Sequence, residues 1–383
     1  LAALAVVASL AANRYLEVAR GVRGADYGTF LNAARNVANG SSPYGVSHYV
    51  YPPTLAVLLA PFSRIEAEVL WKWWVALMLV SLLVGVAAFV ASETNPSMPH
   101  RAMLFALCSF SVLCPQFIPV RRDLHLGQTN PLIFPILMLS ACAASRGWSA
   151  LRGACIGLAA LLKTWPAVVA LSLWQRHLSG RKRSLLSLLS VVALGPMLIG
   201  MFGVEGGIVA FVHNNRAAVA ESQSVLINDS VWPVARMLFS AGRHATPLYV
   251  SPPLCFAAAA VLFTWVVSML LVALHIREEP ALCTWHVITC AILLFPESHR
   301  QYAIFMLPLL WCWAARWLGK RERPLDPGES VALGAMVLWW LVQCHAWPYT
   351  DDAPTVSAVL YSVPFFANLV AGTVSITAAR AVI

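Results

Sequence analysis

Hydrophobic segments of near membrane-spanning length follow one another along this chain with short polar connections, and that pattern constrains the fold more than any motif does. A segment lying in lipid must satisfy its own backbone hydrogen bonds, which leaves the α-helix as the spanning element for runs of this kind. Each span needs about 17 to 25 apolar residues, fewer where a helix is buried within a bundle. On that criterion spans fall near 1–18, 68–91, 101–120, 129–145, 149–162, 164–175, 184–203, 250–274, 281–295, 300–318, 329–347 and 356–378. The expectation is an all-α polytopic membrane protein, one domain over 1–383, with about twelve transmembrane helices and both termini on one side. The pieces on either side of Lys163-Thr164-Trp165-Pro166 are short, and a single helix broken at Pro166 competes with two separate spans. The chain opens on Leu1 within an apolar run rather than on Met, as expected of a sequence whose natural start lies further upstream.

Composition agrees with a membrane class: 59% of residues are hydrophobic and 11% charged, with a mean hydropathy of +0.71. A soluble domain carries about 25% charged residues. The 9 cysteines form no CxxC or comparable metal-binding spacing and read as small core residues. A formal charge of +9 invites a nucleic-acid reading, but the Lys and Arg residues are scattered among short loops without a basic stripe. Anionic lipid head groups and a phosphate-bearing ligand are the expected partners. The basic loops at 145–152, 176–183 and 316–323 share one face, which the positive-inside rule makes cytoplasmic. The opposite face then holds Asp26, the loop 121–130, Lys163, the long segment 204–249, Glu297-Ser298-His299-Arg300 and Asp351-Asp352. It carries a comparable number of basic residues, beside the candidate site residues.

One stretch, 26–53, is too polar to span lipid and too apolar to be a free linker. It contains Asp26, Arg35, His48, Tyr49, Tyr51 and the Pro52-Pro53 pair. Within FLNAARNVANG, Phe30, Ala33, Ala34 and Val37 share one helical face, which predicts an amphipathic helix lying in the membrane interface. The following YVYPPTLAVLLAPF (49–62) is too short to cross comfortably and predicts a second interfacial or re-entrant helix. Residues 26–66 are therefore expected to form the reactive loop of an integral-membrane enzyme.

The blocks DYGTFLNAAR, SSPYG, YVYPPTLAVLLAPF, LGQTNPLIFPILML, GLAALLKTWPAVVAL and FPESHRQYAIFMLPLL, in this order over roughly residues 20–318, resemble glycosyltransferase family 87 of the GT-C superfamily. That resemblance implies a GT-C helix bundle with interfacial helices in its first outward loop. It implies transfer of a sugar, mannose first and arabinofuranose next, from a polyprenyl monophosphate to an envelope glycolipid or glycan. It places the reaction on the extracytoplasmic face of a bacterial inner (plasma) membrane, with inversion at the anomeric carbon. Asp26 matches the family's first-loop acid.

The residue types suit that chemistry. An acceptor hydroxyl needs a base, for which a carboxylate such as Asp26 serves, with burial raising its pKa and charged neighbours lowering it. The leaving phosphate calls for cationic donors, and the candidates are Arg121, Arg122, Lys163 and Arg300, with His299 as a further catalytic candidate. Tyr51, Gln128 and Asn130 are candidates for sugar or acceptor contacts. A structural role stands beside each: Asp26 as a helix cap, Arg121 and Arg122 as head-group anchors, Lys163 snorkelling from a helix end, His299 as a satisfied core histidine, Gln128 and Asn130 as caps, and Tyr51 in the aromatic belt. No metal and no cofactor is expected, since the first loop has no DxD pair and Asp351-Asp352 lies far along the chain. Rival readings are a transporter or flippase of a lipid-linked sugar, against which the lack of a sequence repeat counts, and a non-catalytic envelope partner.

Overall fold

A computed structural model describes residues 2–93, 98–174, 180–201, 209–214, 230–240, 246–276, 280–295, 299–319, 326–345 and 358–381, and the regular elements among them are helical. Much of the segment 204–249, the pair Glu297-Ser298, the basic residues Arg176, Lys320, Arg321 and Arg323, and Asp351-Asp352 lie outside the described residues.

The first helix, α1 (Ala2–Ala19), leads into the polar stretch, where α2 (Ala25–Ala38) buries Tyr27, Phe30, Leu31, Ala33, Ala34 and Val37. This is the apolar stripe expected from the i, i+3, i+4 spacing, and it turns the helix's polar residues outward. Next, α3 (Pro53–Leu59) starts on a proline, whose missing N–H has no intrahelical partner in a first turn. Its 7 residues make a helix about 10 Å long, against a hydrocarbon core of about 30 Å. A short 3-10 turn, Ala60–Phe62, closes the loop before α4 (Ala67–Ser92).

The expected span at 101–120 is two helices, α5 (Met98–Leu113) and α6 (Ile118–Leu126), bent by 61°. The continuation through IPVRRDLHL carries too much charge to run on in lipid, so the chain turns. After α7 (Asn130–Ser145) and α8 (Ser149–Leu162), the chain leaves the helix at Lys163 in extended backbone and re-enters as a 3-10 helix, Trp165–Trp174. Near the start of α8, Arg152 Nη2 donates to the Ser172 carbonyl (3.0 Å) and hydroxyl (2.9 Å), close to the end of the 3-10 helix. The two pieces therefore run antiparallel with Lys163 at the turn, and the single broken helix is excluded. Their 14 and 10 residues give matched lengths of about 20 Å, since a 3-10 helix rises further per residue.

The chain continues through α9 (Arg181–Met201), α10 (Val231–Phe239), α11 (Pro252–Leu274) and α12 (Pro280–Leu294). A 3-10 turn at Arg300–Met306 feeds α13 (Leu307–Gly319), followed by α14 (Pro327–Cys344) and α15 (Ala358–Ala381). Among the described residues, α4, α11, Arg300–Gly319 and Ser362–Ala379 are the 4 helices long and apolar enough to cross a membrane by themselves, or up to 5 with the bent α5–α6 pair. The shorter apolar helices, α7, α8, Trp165–Trp174 and Ala281–Leu294, are held within the bundle. This is a multi-pass membrane protein.

Tryptophans fill the core, and three of them are hydrogen-bonded across it: Trp311 donates to Ser111 Oγ (2.9 Å), Trp313 to Ser375 Oγ (2.8 Å) and Trp339 to Asn368 Oδ1 (2.7 Å). All the cysteines except Cys312 and Cys344 are buried, as core residues should be. Because α7 begins and α8 ends beside Lys163, the intervening Arg146-Gly147-Trp148 turn lies at the opposite end of the bundle. Ser184 Oγ donates to the Ser149 carbonyl (2.8 Å), which puts the basic start of α9 at that end too.

Candidate active site

Close approach of two helix ends builds the site. The backbone of Gly24, just before α2, lies against the last turn of α6, where a Cβ would stand 2.2 Å from the Leu126 carbonyl oxygen. Gly127 ends α6 in the left-handed conformation (φ +74°), and a Cβ there would meet Tyr27 Cβ at 2.6 Å. With hydrogen at both positions, the N-terminus of α2 presses onto the C-terminus of α6, their dipoles head to tail. The joint is fixed to α4: Trp74 Nε1 donates to the Gly127 carbonyl (2.9 Å) and the Tyr27 hydroxyl to that of Ala67 (3.1 Å). Asp26 sits in the first turn of α2, where the helix dipole favours a carboxylate.

From there a continuous hydrogen-bond network runs inward. Gln128 Nε2 donates to Asp26 Oδ2 at 2.6 Å, and Gln128 Oε1 accepts from the Tyr51 hydroxyl at 2.6 Å and from Lys163 Nζ at 3.2 Å. Lys163 Nζ also donates to Asn130 Oδ1 (3.1 Å) and the Tyr51 hydroxyl (3.4 Å). Asn130 Nδ2 in turn donates to Asp123 Oδ1 at 2.9 Å. The ammonium lies between two rings, 4.4 Å from the Tyr302 centroid and 5.1 Å from that of Tyr51. Tyr51, Gln128, Asn130 and Lys163 are all buried, so the Lys163 ammonium is held out of water by hydrogen bonds to neutral acceptors. Burial pushes the Asp26 carboxyl above its ordinary 3.8, and the Lys163 charge, the Gln128 hydrogen bond and the Arg122 charge pull it back only in part. A partly buried carboxylate with a raised pKa, one amide away from a desolvated ammonium, can take a proton while a cation steadies developing negative charge.

The model of glycosyltransferase family 87 matches residues 49–296, more than half of the 383 and including Tyr51, Gln128, Asn130 and Lys163. The chain belongs to glycosyltransferase family 87. It is similar to the polyprenol-phosphate-mannose-dependent alpha-(1-2)-phosphatidylinositol mannoside mannosyltransferase of Mycolicibacterium smegmatis, 25% identical over 308 residues, covering 76% of this chain and 67% of the relative. It is also similar to the protein of the same description from Mycobacterium tuberculosis, 24% identical over 310 residues, covering 78% of this chain and 69% of that one.

The remaining candidates of this family member are distributed unevenly around the network. Arg122 is partly buried, and its charge acts on both Asp26 and Asp123. Arg121 is half exposed and turns to the end of α1, 3.9 Å from Glu17. The His299 ring lies 6.3 Å from that of Tyr302, one ring beyond Lys163. Arg300, expected among the phosphate groups, makes its hydrogen bonds among the described residues elsewhere. Wholly buried, it donates to Gln343 Oε1 (3.3 Å) and to the carbonyls of Val342 (3.4 Å), Gln343 (3.4 Å) and His345 (2.8 Å) at the end of α14. A guanidinium on helix C-terminal carbonyls is a cap that complements the dipole.

Asp123 and Tyr302 escaped the sequence reading. Asp123 had a signal: it shares the buried face of α6 with Pro119, Val120 and Leu124, an acid at an apolar-face position. Tyr302 had none, because its role depends on which residue it covers. Among the described residues no group of 3 or more His, Cys, Asp and Glu stands close enough to hold a metal ion.

Proposed function

We propose that this protein is an inverting glycosyltransferase that moves a sugar, mannose first, from a polyprenyl monophosphate to an envelope glycolipid or glycan. It works on the extracytoplasmic face of a bacterial inner membrane, within one bundle of about twelve transmembrane helices. The acceptor hydroxyl gives its proton to Asp26 as its oxygen attacks the anomeric carbon. The bond from that carbon to the phosphate oxygen breaks on the opposite face, and polyprenyl monophosphate leaves with the electron pair. Lys163 and Arg122 neutralise the growing phosphate charge, with Arg121 at the outer rim. His299 serves as a proton relay one ring further out. Tyr51, Gln128 and Asn130 hold these groups in register and border the sugar. No metal and no cofactor is assigned to the reaction. Family membership supports the reaction class, and the names of the two mycobacterial relatives support a polyprenol-phosphate-mannose donor and a phosphatidylinositol-mannoside type of acceptor.

The observation that carries the reading is the Asp26–Gln128–Lys163 linkage, in which one amide holds a raised carboxylate and a buried ammonium side by side. The test is transfer by purified protein in nanodiscs, with polyprenyl-phosphate-mannose and phosphatidylinositol mannoside, for wild type beside Asp26→Asn. The expected result is transfer by wild type and a loss of about hundredfold or more in the variant with donor binding retained. Equal activity of the two removes Asp26 as the base. Donor binding without transfer of any polyprenyl-linked sugar, arabinofuranose included, favours a transporter.

A further inference from the structure

Asp123 closes the network at its inner end. It is wholly buried on α6, its Oδ1 accepts from Asn130 Nδ2, and its Oδ2 is buried without a hydrogen-bond partner among the described residues. A half-satisfied buried carboxylate is costly to keep, which asks what it does.

The chemistry of its neighbours answers. A lysine ammonium offers only donors, and the Asp123 oxygen that faces Asn130 accepts. A primary amide between them has one allowed orientation, with its NH2 on the carboxylate and its carbonyl on the ammonium. Asn130 stands in that position between Asp123 and Lys163, and Gln128 stands in it between Asp26 and Lys163. Lys163 is thus held between two amide carbonyls, each turned toward it by a carboxylate. The ammonium by itself draws the Asn130 carbonyl, but an amide at 123 can offer Asn130 either its oxygen or its NH2, so the second, acceptor-only anchor on Asn130 is lost.

We propose that Asp123 is a positioning residue: it fixes the orientation of Asn130 and thereby holds the Lys163 ammonium where the donor's phosphate is received. This rests on the reading of Lys163 as a phosphate-binding group given above. Among the described residues Asp26, Tyr51 and Tyr302 also act on that ammonium, and none of them contributes the Asn130 constraint.

The experiment is a double-mutant cycle read as affinity for polyprenyl monophosphate in nanodiscs, for wild type, Asp123→Asn, Lys163→Met and the pair. Lys163→Met is expected to weaken binding about tenfold or more, as for a lost charge-assisted hydrogen bond. Asp123→Asn should weaken it severalfold by itself and add nothing in the Lys163→Met background, because its effect passes through that ammonium. A second variant guards against a mere folding defect. Exchanging the pair, Asp123→Asn with Asn130→Asp, restores an acceptor facing Lys163 and should recover affinity to within about threefold of wild type.

An equal loss from Asp123→Asn in both backgrounds, unchanged binding in that variant, or an exchanged pair that folds but binds no better than Asp123→Asn overturns the proposal. Wild type that binds polyprenyl monophosphate yet transfers no polyprenyl-linked sugar overturns the proposed function, and the binding cycle still decides the role of Asp123. Wild type that does not bind it overturns both.

Discussion

Asp26 illustrates a conflict between stability and chemistry at a single residue. Its carboxyl titrates above its ordinary 3.8, first because it is buried, with Lys163, Gln128 and Arg122 opposing. The folded protein therefore holds that proton more tightly than the unfolded chain does. As pH rises from 3.8 through the raised folded value the stability contributed by this group falls, and above that window ionised Asp26 is a fixed penalty. Asp26→Asn removes the penalty and keeps an acceptor for Gln128 Nε2. The variant should melt no lower than wild type at neutral pH while transferring about hundredfold slower or worse; thermal melts beside the transfer assay check this, and a large drop in melting temperature counts against it. The same logic sets a pH signature. The acid limb of kcat/KM should lie above 3.8, and in Lys163→Met it should move further up, because the ammonium that favoured the ionised form is gone. Measurement of the profile in both proteins decides, and an unmoved limb uncouples the two residues.

At the scale of elements, the site depends on how closely α2 seats on α6. Gly24→Ala puts a methyl carbon into the Leu126 carbonyl, a backbone atom that cannot swing aside. The start of α2 must lift, carrying Asp26 away from Gln128. Activity should fall at least about tenfold, because a misplacement of roughly 1 Å is enough to disturb catalysis, while the bundle, whose large buried surfaces lie elsewhere, stays folded. Transfer rates and melting curves of Gly24→Ala separate the two effects. Arg300 makes the opposite prediction. Removing a buried guanidinium from the carbonyls at the end of α14 leaves those acceptors unpaired, a loss of about 3 kcal/mol or more. Arg300→Met should melt markedly lower while the folded fraction binds polyprenyl monophosphate as wild type does; weakened binding at unchanged stability would return Arg300 to the phosphate site.

For the whole molecule, two ends of the bundle differ in kind. The Asp26 network lies at one end, and the Arg146-Gly147-Trp148 turn with Arg181, Lys182 and Arg183 lies at the other. Positive charge on short connections retains its face in the cytoplasm. In the proposed orientation Val22, 94% exposed between α1 and α2, and Trp148, 54% exposed between α7 and α8, report opposite compartments. In intact cells a membrane-impermeant maleimide should label Val22→Cys, and it should label Trp148→Cys only after permeabilisation. The reverse pattern would turn the site to the cytoplasm.

The helices themselves were legible because their signal is local. Expected boundaries at 68–91, 129–145, 149–162 and 250–274 meet Ala67–Ser92, Asn130–Ser145, Ser149–Leu162 and Pro252–Leu274. The buried face of α2 followed from its spacing, and Asp26, Gln128, Asn130, Lys163 and Tyr51 were visible as polar groups in apolar company. Tertiary structure alone decided what these residues meet. Gln128 reaches Asp26 across 102 positions and Lys163 across 35, through two helix ends pressed together and a hairpin turn. It also decided that burial outweighs the charges around Asp26, and that Arg300 closes a helix end. Periodicity records which face of an element is buried, whereas hydrogen bonding and desolvation depend on the partner element that buries it, and that partner is fixed only when the bundle closes.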